Sequence, residues 1–108
     1  MRPIMTQVIQ YDPSTPTIHI QGDLDALGVE RIRDALASLV EEDDGDMTLD
    51  LSGVSFIDSS GIGAIVYLFK RLNARDRTLT LTGANPQPLQ LFRMLHIDRT
   101  VTVEEARQ

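Results

Sequence analysis

The stretch Asp58-Ser59-Ser60-Gly61-Ile62-Gly63 concentrates the groups in this sequence that are able to do chemistry. Two hydroxyls stand between an apolar strand-like stretch and the start of a helical apolar pattern, at the end of a sheet where α/β proteins place their sites. Ser59 or Ser60 can cap the helix by accepting a hydrogen bond from a first-turn amide. The same amides, with the positive end of the helix dipole, also make a seat for an anion. A serine here is a cap, an anion contact or a phosphorylation acceptor, and residue types alone leave all three open. Gly61 and Gly63 each cost about 1 kcal/mol of helix propensity relative to alanine. Close approach by a ligand and tight packing of helix on strand explain that cost equally well.

Other chemistries lack their residues. A nucleophile elbow needs glycine two positions before and two after its serine. Ser59 has Ile57 and Gly61 there, and Ser60 has Asp58 and Ile62, so both fail. The sole lysine, Lys70, lies in mid-helix and belongs to no glycine-rich phosphate loop. A nucleotide-binding role has only the Gly61-Ile62-Gly63 turn in its support. His19 and His96, the only histidines, are too far apart for metal-ligand spacing, and the absence of cysteine excludes disulfide frameworks, thiol catalysis and cysteine-containing zinc sites. The expectation is a non-enzyme with no catalytic residue, no metal and no cofactor.

The elements that would carry this segment alternate along the chain. Gln7–Tyr11 and Thr17–Gln21 read as two strands around the turn-rich Asp12-Pro13-Ser14-Thr15-Pro16, a hairpin. In the second strand Ile18 and Ile20 share one face, and His19 points outward. A helix over roughly residues 26–41 follows, with Val29, Ile32, Leu36, Leu39 and Val40 on one stripe and Asp25 as its N-cap. It ends in the acidic run Glu41 to Asp46, read as a solvated loop, which sets acids at the wrong end of the helix dipole. Met47–Leu51 alternates as a strand, and Val54 and Phe56 continue its apolar pattern. A second helix begins near Ser59 with the stripe Ile62, Ile65, Val66, Phe69 and Leu72. Lys70, Arg71, Arg75 and Arg77 are expected on its exposed end and the turn beyond. Thr78–Thr82 forms a further strand, and Asn85-Pro86-Gln87-Pro88 opens a short helix with Leu89, Phe92 and Leu95 as its stripe, Met94 in the core and His96 at its end. A last strand holds Val101 and Val103, and Glu104–Gln108 allows about one helical turn. The order indicates one α/β layer sandwich: helices over a mostly parallel sheet of four to five strands, with one antiparallel pair from the opening hairpin.

The 108 residues fit one domain with one core, residues 1–108. Sixteen acids against ten bases give a net charge of −6. The excess is uneven: residues 1–66 hold 12 acids and 3 bases (net −9), residues 67–108 hold 4 and 7 (net +3). This balance speaks against a general nucleic-acid or phosphate-binding role. No apolar run reaches the length of a signal peptide or membrane span, so a soluble cytoplasmic protein is expected.

Leu49-Asp50-Leu51-Ser52-Gly53-Val54-Ser55-Phe56-Ile57-Asp58-Ser59-Ser60-Gly61-Ile62-Gly63 resembles the core signature of the STAS family, in particular the bacterial anti-sigma factor antagonists. Gly22-Asp23-Leu24-Asp25, where the second strand meets the first helix, is similar to that family's Gly-(Glu/Asp)-Leu-Asp motif. The element order matches too, so the resemblance covers nearly the whole chain. It implies partner switching: the unphosphorylated antagonist binds an anti-sigma factor that is also a serine kinase and frees the sigma factor. Phosphorylation breaks the complex, and a metal-dependent serine phosphatase restores it. The acceptor follows the motif's aspartate directly, which maps it to Ser59. Asp23, Asp25, Asp58, Ser60, Gly61 and Ile62 map to the surface that meets the partner, with Asp58 shaping the loop. The resemblance carries no membrane and no direct nucleic-acid contact, and a monomer or weak dimer is expected. The alternative within the family is a non-switching adaptor subunit of a lipid-asymmetry ABC transporter, where the acceptor position often holds another residue. Two departures stand out. The family closes with a longer C-terminal helix than this chain allows, and Ala26-Leu27-Gly28 is less polar than the hydroxyl residues often found after the aspartate.

Overall fold

The alternating apolar stretches become the strands of one five-stranded sheet in the computed structural model, which describes residues 8–42 and 44–106. In chain order the elements are β1 (Val8–Asp12), β2 (Thr17–Gln21), α1 (Ala26–Glu42), β3 (Met47–Gly53), α2 (Ser59–Asn73), β4 (Leu79–Ala84), α3 (Pro86–Met94), a single 3-10 turn (Ile97–Arg99) and β5 (Thr102–Glu105). The strands lie in space in the order of the chain. β1 and β2 pair antiparallel, and every later pair is parallel, as the sequence pattern implies. Gln7, assigned to the first strand by its alternation, lies outside the described residues. Asp12 closes the hairpin link by accepting from the Ser14 backbone N–H at 3.0 Å and from the Ser14 hydroxyl at 2.7 Å.

Period-two alternation divides the sheet cleanly. Ile18, Ile20, Leu49, Leu51, Leu79 and Leu81 are buried beneath Ile32, Leu36 and Val40 of α1 and Ile65, Leu68 and Leu72 of α2, and Phe92 of α3 completes the core. The opposite face carries polar residues. Thr17, Thr48, Thr80 and Thr102 occupy one row across four strands, and His19 pairs in register with Asp50.

The α2 stripe differs from the expected one by a rotation. Its buried line runs Gly61, Ile65, Leu68, Leu72, while Ile62, Val66 and Phe69 are only partly covered. A glycine carries no hydropathy signal, so the line's first member is invisible to an apolar pattern.

Three expectations about the later chain are corrected. Arg77, expected in an exposed turn, is 6% exposed: its Nε donates to Gly45 O at 2.7 Å and its Nη1 to Val40 O at 2.9 Å. The last turn of α1 holds no basic residue, and this arginine from the approach to β4 supplies the positive donor that the helix end lacks. Glu41, at the same end, accepts from Arg71 in the last turn of α2 and from Arg75 just beyond that helix, so the acidic run begins with a paired residue. Met94, expected in the core, is 67% exposed. The buried side of α3 runs through Pro88 and Phe92, and Met94, two residues beyond Phe92, falls on the other side. Finally, the expected C-terminal helical turn is replaced by strand. Glu104 and Glu105 belong to β5, Ala84 pairs with Glu105, and the Ala106 N–H donates to Ala84 O at 2.9 Å. Pairing with β4 uses the backbone groups that a helix would need. Arg107 and Gln108 lie outside the described residues.

Candidate functional site

The loops that leave β2 and β3 run side by side at the C-terminal end of the sheet, where backbone hydrogen bonds join them. Gly22 N–H donates to Gly53 O at 3.0 Å, Leu24 N–H to Phe56 O at 2.9 Å, and Asp58 N–H to Leu24 O at 3.2 Å. Leu24 and Ile57 form an isolated parallel bridge, and both side chains are buried. The strand pairing of β2 with β3 is in effect extended past the strand ends. It carries Asp25 and Asp58, the residues following the bridged pair, to the starts of the two helices.

Each aspartate then caps its helix. Asp25 Oδ1 accepts from Gly28 N–H at 2.8 Å, as its position before α1 implied. At α2 the cap is Asp58, whose Oδ1 accepts from Ser60 N–H at 2.8 Å and Gly61 N–H at 3.2 Å. The sequence admitted Ser59 or Ser60 to this role; the structure gives it to the carboxylate. A carboxylate satisfies two first-turn donors and complements the dipole at once. Ser59 is left as the first residue of α2, and it is exposed.

The surrounding residues divide into those that face solvent and those that pack. Asp23 is exposed, Ser60 and Ile62 are partly buried, and Ile62 packs against the core. Gly61 is buried, and a Cβ built there would lie 2.4 Å from Leu24 O and 2.8 Å from Ile57 Cγ2. Helix-on-loop packing therefore explains this glycine. Gly63 has open space where its Cβ would be, and it lines a groove between α1 and α2 with Val29, Arg33, Ala37 and Tyr67. Two large apolar side chains stand out at the rim: Leu27 in the first turn of α1, 54% exposed, and Phe56 in the β3–α2 loop, 43% exposed. The sequence places Phe56 in an apolar run, but the loop turns it outward.

Local patterns did not reveal the polar ties that reach this loop from elsewhere in the chain. Gln87 accepts from Ile57 N–H through Oε1 at 2.8 Å and donates through Nε2 to Ile57 O at 2.9 Å. Asn85 Nδ2 donates to Ser52 O at 3.0 Å and Val54 O at 2.9 Å. Both residues stand in the opening of α3, which the sequence marks only as a helix start. On the polar face of the sheet, His19 Nδ1 lies 2.7 Å from Asp50 Oδ2. Burial pushes the Asp50 carboxyl up, but hydrogen bonds from the Ser52 backbone, from His19 and from the Ser52 side chain outweigh it and hold the group below the usual aspartate range. Alternation gave the outward direction of His19, and strand register supplied its partner. Among the described residues no cluster of three or more His, Asp or Glu side chains is placed to hold a metal ion. No helix among them is long and apolar enough to cross a membrane.

Known proteins are similar to this chain in sequence or in fold. The anti-sigma-B factor antagonist of Listeria monocytogenes is 26% identical over 101 residues, spanning 94% of this chain and 89% of that one. An anti-sigma factor antagonist from Mycobacterium paratuberculosis superposes with a TM-score of 0.79 at 16% identity, over 92% of this chain and 84% of that one. The Bacillus cell fate determinant SpoIIAA in its phosphorylated form gives 0.68 at 21% identity, over 91% and 90%. The family model for the STAS domain matches residues 6–108, nearly the full length, and with the paired loops and the mixed sheet it settles the assignment. The chain belongs to the STAS domain family.

Proposed function

We propose that this chain is an anti-sigma factor antagonist working by partner switching, with Ser59 as its phosphorylation acceptor. The observation that carries this reading is the division of labour at the start of α2: Asp58 holds the cap, and the adjoining Ser59 is exposed. A cap role for Ser59 would compete with phosphorylation, and Asp58 removes that competition. The names of the Listeria and Mycobacterium proteins support an antagonist role.

In this reading the unphosphorylated loop, with Asp23, Asp25, Asp58, Ser60 and Ile62 around Ser59 and the buried Gly61 packed beneath it, docks on an anti-sigma factor that is also a serine kinase. The kinase transfers the γ-phosphoryl group of ATP. The Ser59 Oγ–P bond forms as the bond from phosphorus to the bridging oxygen of ADP breaks, and a base on the kinase takes the hydroxyl proton. The product carries roughly −1.5 to −2 additional charges. Asp58 already occupies the Ser60 and Gly61 amides, so the phosphate faces outward beside a carboxylate instead of settling into the helix start. Like charge and desolvation within an interface cost several kcal/mol. A loss of about 3–4 kcal/mol weakens a complex roughly 150- to 1,000-fold. A metal-dependent serine phosphatase resets the state, and the chain itself performs no catalytic step.

Incubation with the serine-kinase anti-sigma factor and ATP, followed by peptide mapping in a mass spectrometer, tests this. Phosphate is expected on Ser59, and Ser59→Asp is expected to bind the kinase more weakly than wild type. An unmodified Ser59, together with Ser59→Asp binding as tightly as wild type, ends the reading. Co-purification with a transporter ATPase in place of a kinase would move the chain to the adaptor alternative.

A further inference from the structure

We infer that Gln87, assisted by Asn85, is a positioning residue for the Ser59 acceptor, a role that rests on the phosphorylation reading above. Ile57 lies two residues before Ser59, and its backbone is held from both sides. On one side is the bridge to Leu24. On the other is the Gln87 carboxamide, which accepts from Ile57 N–H at 2.8 Å and donates to Ile57 O at 2.9 Å. A carboxamide offers one acceptor and a pair of donors. In this orientation it does for Ile57 what a neighbouring strand would do, pairing both backbone groups of one residue.

The location explains why a side chain is needed. The ladder between β3 and β4 ends at Asp50 with Thr82, so β4 is not in register with the loop that carries Ile57. Asn85 and Gln87 fill the gap. Asn85 secures the start of the loop through Ser52 O and Val54 O, and Gln87 secures its end. Asn85 is also the N-cap residue of α3, yet its side chain makes no capping hydrogen bond to its own helix. Asparagine is among the favoured capping residues. Here its carboxamide is directed across to the β3–α2 loop. Pro86 lies at the start of α3 and Pro88 is buried, so the residues on either side of Gln87 have fixed φ and hold its backbone in place.

The loop's end point sets both the Asp58 cap and the direction of Ser59. Phosphoryl transfer is sensitive to such placement, and a misplacement of about 1 Å can cost on the order of 100-fold in rate. Gln87 does not belong to the exposed rim of Asp23, Leu27 and Phe56, so its loss should act on the transfer step more than on docking.

The test compares the full-length wild type with Gln87→Glu and Gln87→Met as substrates of the serine kinase, alongside amide hydrogen exchange. Gln87→Glu keeps an acceptor for Ile57 N–H but sets an oxygen against Ile57 O. Gln87→Met keeps the length and loses both hydrogen bonds, so one variant remains if the other folds poorly. Faster exchange at the Ile57 amide is expected in Gln87→Met, with kcat for phosphorylation down about tenfold and KM within about twofold of wild type. Wild-type kcat in both variants despite faster Ile57 exchange would reduce Gln87 to a structural tie and overturn the inference. Unchanged Ile57 exchange in Gln87→Met would overturn the clamp itself. Absence of phosphate on wild-type Ser59 would overturn the phosphorylation reading instead, and the exchange measurement would still decide the clamp.

Discussion

Gly61 and Gly63 lie two residues apart in one helix, and the same substitution should move them in opposite directions. Glycine to alanine gains about 1 kcal/mol of helix propensity at an interior position. At Gly63 nothing lies within 4 Å of the added Cβ, so Gly63→Ala should keep that gain in full. At Gly61 the Cβ would meet Leu24 O at 2.4 Å, Ile57 Cγ2 at 2.8 Å and Leu24 Cβ at 2.9 Å. The nearest of these is a backbone oxygen held by Asp58 N–H, so it cannot swing aside as a flexible side chain would. Overpacking costs about 1–3 kcal/mol. Moving α2 away from Leu24 also strains the Leu24–Phe56 and Asp58–Leu24 hydrogen bonds, worth about 1 kcal/mol each. After the propensity gain is subtracted, Gly61→Ala should lose about 2–4 kcal/mol. At about 4–8 °C per kcal/mol for a domain near this size, Tm should fall by roughly 10 °C or more for Gly61→Ala and rise by about 4–8 °C for Gly63→Ala. Thermal and urea unfolding of the two variants beside wild type measures both. If Gly61→Ala proves as stable as wild type, or the two variants shift alike, the packing account of Gly61 is wrong.

Other expectations follow from named contacts. Asp58→Ala removes the acceptor for Ser60 and Gly61 N–H and should cost about 0.5–2 kcal/mol in urea unfolding, while Asp58→Asn keeps an acceptor oxygen and should recover most of it. Arg77→Met leaves Val40 O and Gly45 O without their buried charged donor and should cost about 2–4 kcal/mol; Arg77→Lys, with no planar fork, should restore little of it. The depressed Asp50 carboxyl contributes stability that is complete above the unfolded aspartate value of about 3.9 and fades as pH falls through the lower folded value. Unfolding free energies measured from pH 7 downward should therefore differ between wild type and Asp50→Asn by a constant amount at neutral pH and converge under acid. A difference that grows on acidification would contradict the stated sign.

The sheet was legible because its strands bury one face and expose the other, so alternation is written directly into residues such as Ile18, His19 and Ile20. The place of Asp58 and Ser59 between a strand and a helix was legible too, since strand-to-helix junctions in this architecture fall at one end of the sheet. What escaped were the roles set by three-dimensional neighbours. Nothing local to Arg77 announces that α1 lacks a cation at its C-terminal end, and the carbonyls it meets come from Val40 and Gly45, far back in the chain. Nothing in Asn85-Pro86-Gln87 announces a loop some thirty residues away. The choice between Ser59, Ser60 and Asp58 as cap turned on a single residue of helix phase, a precision that periodicity does not carry. Met94 illustrates the same limit, because a short helix offers too few turns for its apolar side to be fixed by pattern.

The bonds that join the Gly22–Asp25 loop to the Gly53–Asp58 loop run from backbone to backbone, and apart from proline's missing N–H any amino acid supplies those groups. Demands on side-chain identity fall elsewhere: on Gly22 with its φ of 106°, on Gly53 and Gly61, where a Cβ would meet a backbone oxygen, on buried Leu24 and Ile57, on the capping carboxylates Asp25 and Asp58, and on the carboxamides of Asn85 and Gln87. Around them the Leu27 and Phe56 side chains are exposed, and the stitching uses only the backbone carbonyl of Phe56. Descent can therefore rewrite the rim while the scaffold beneath it stays put. On the partner-switching proposal, substitutions of the Leu27 and Phe56 side chains are expected to alter which partner docks without first damaging the fold.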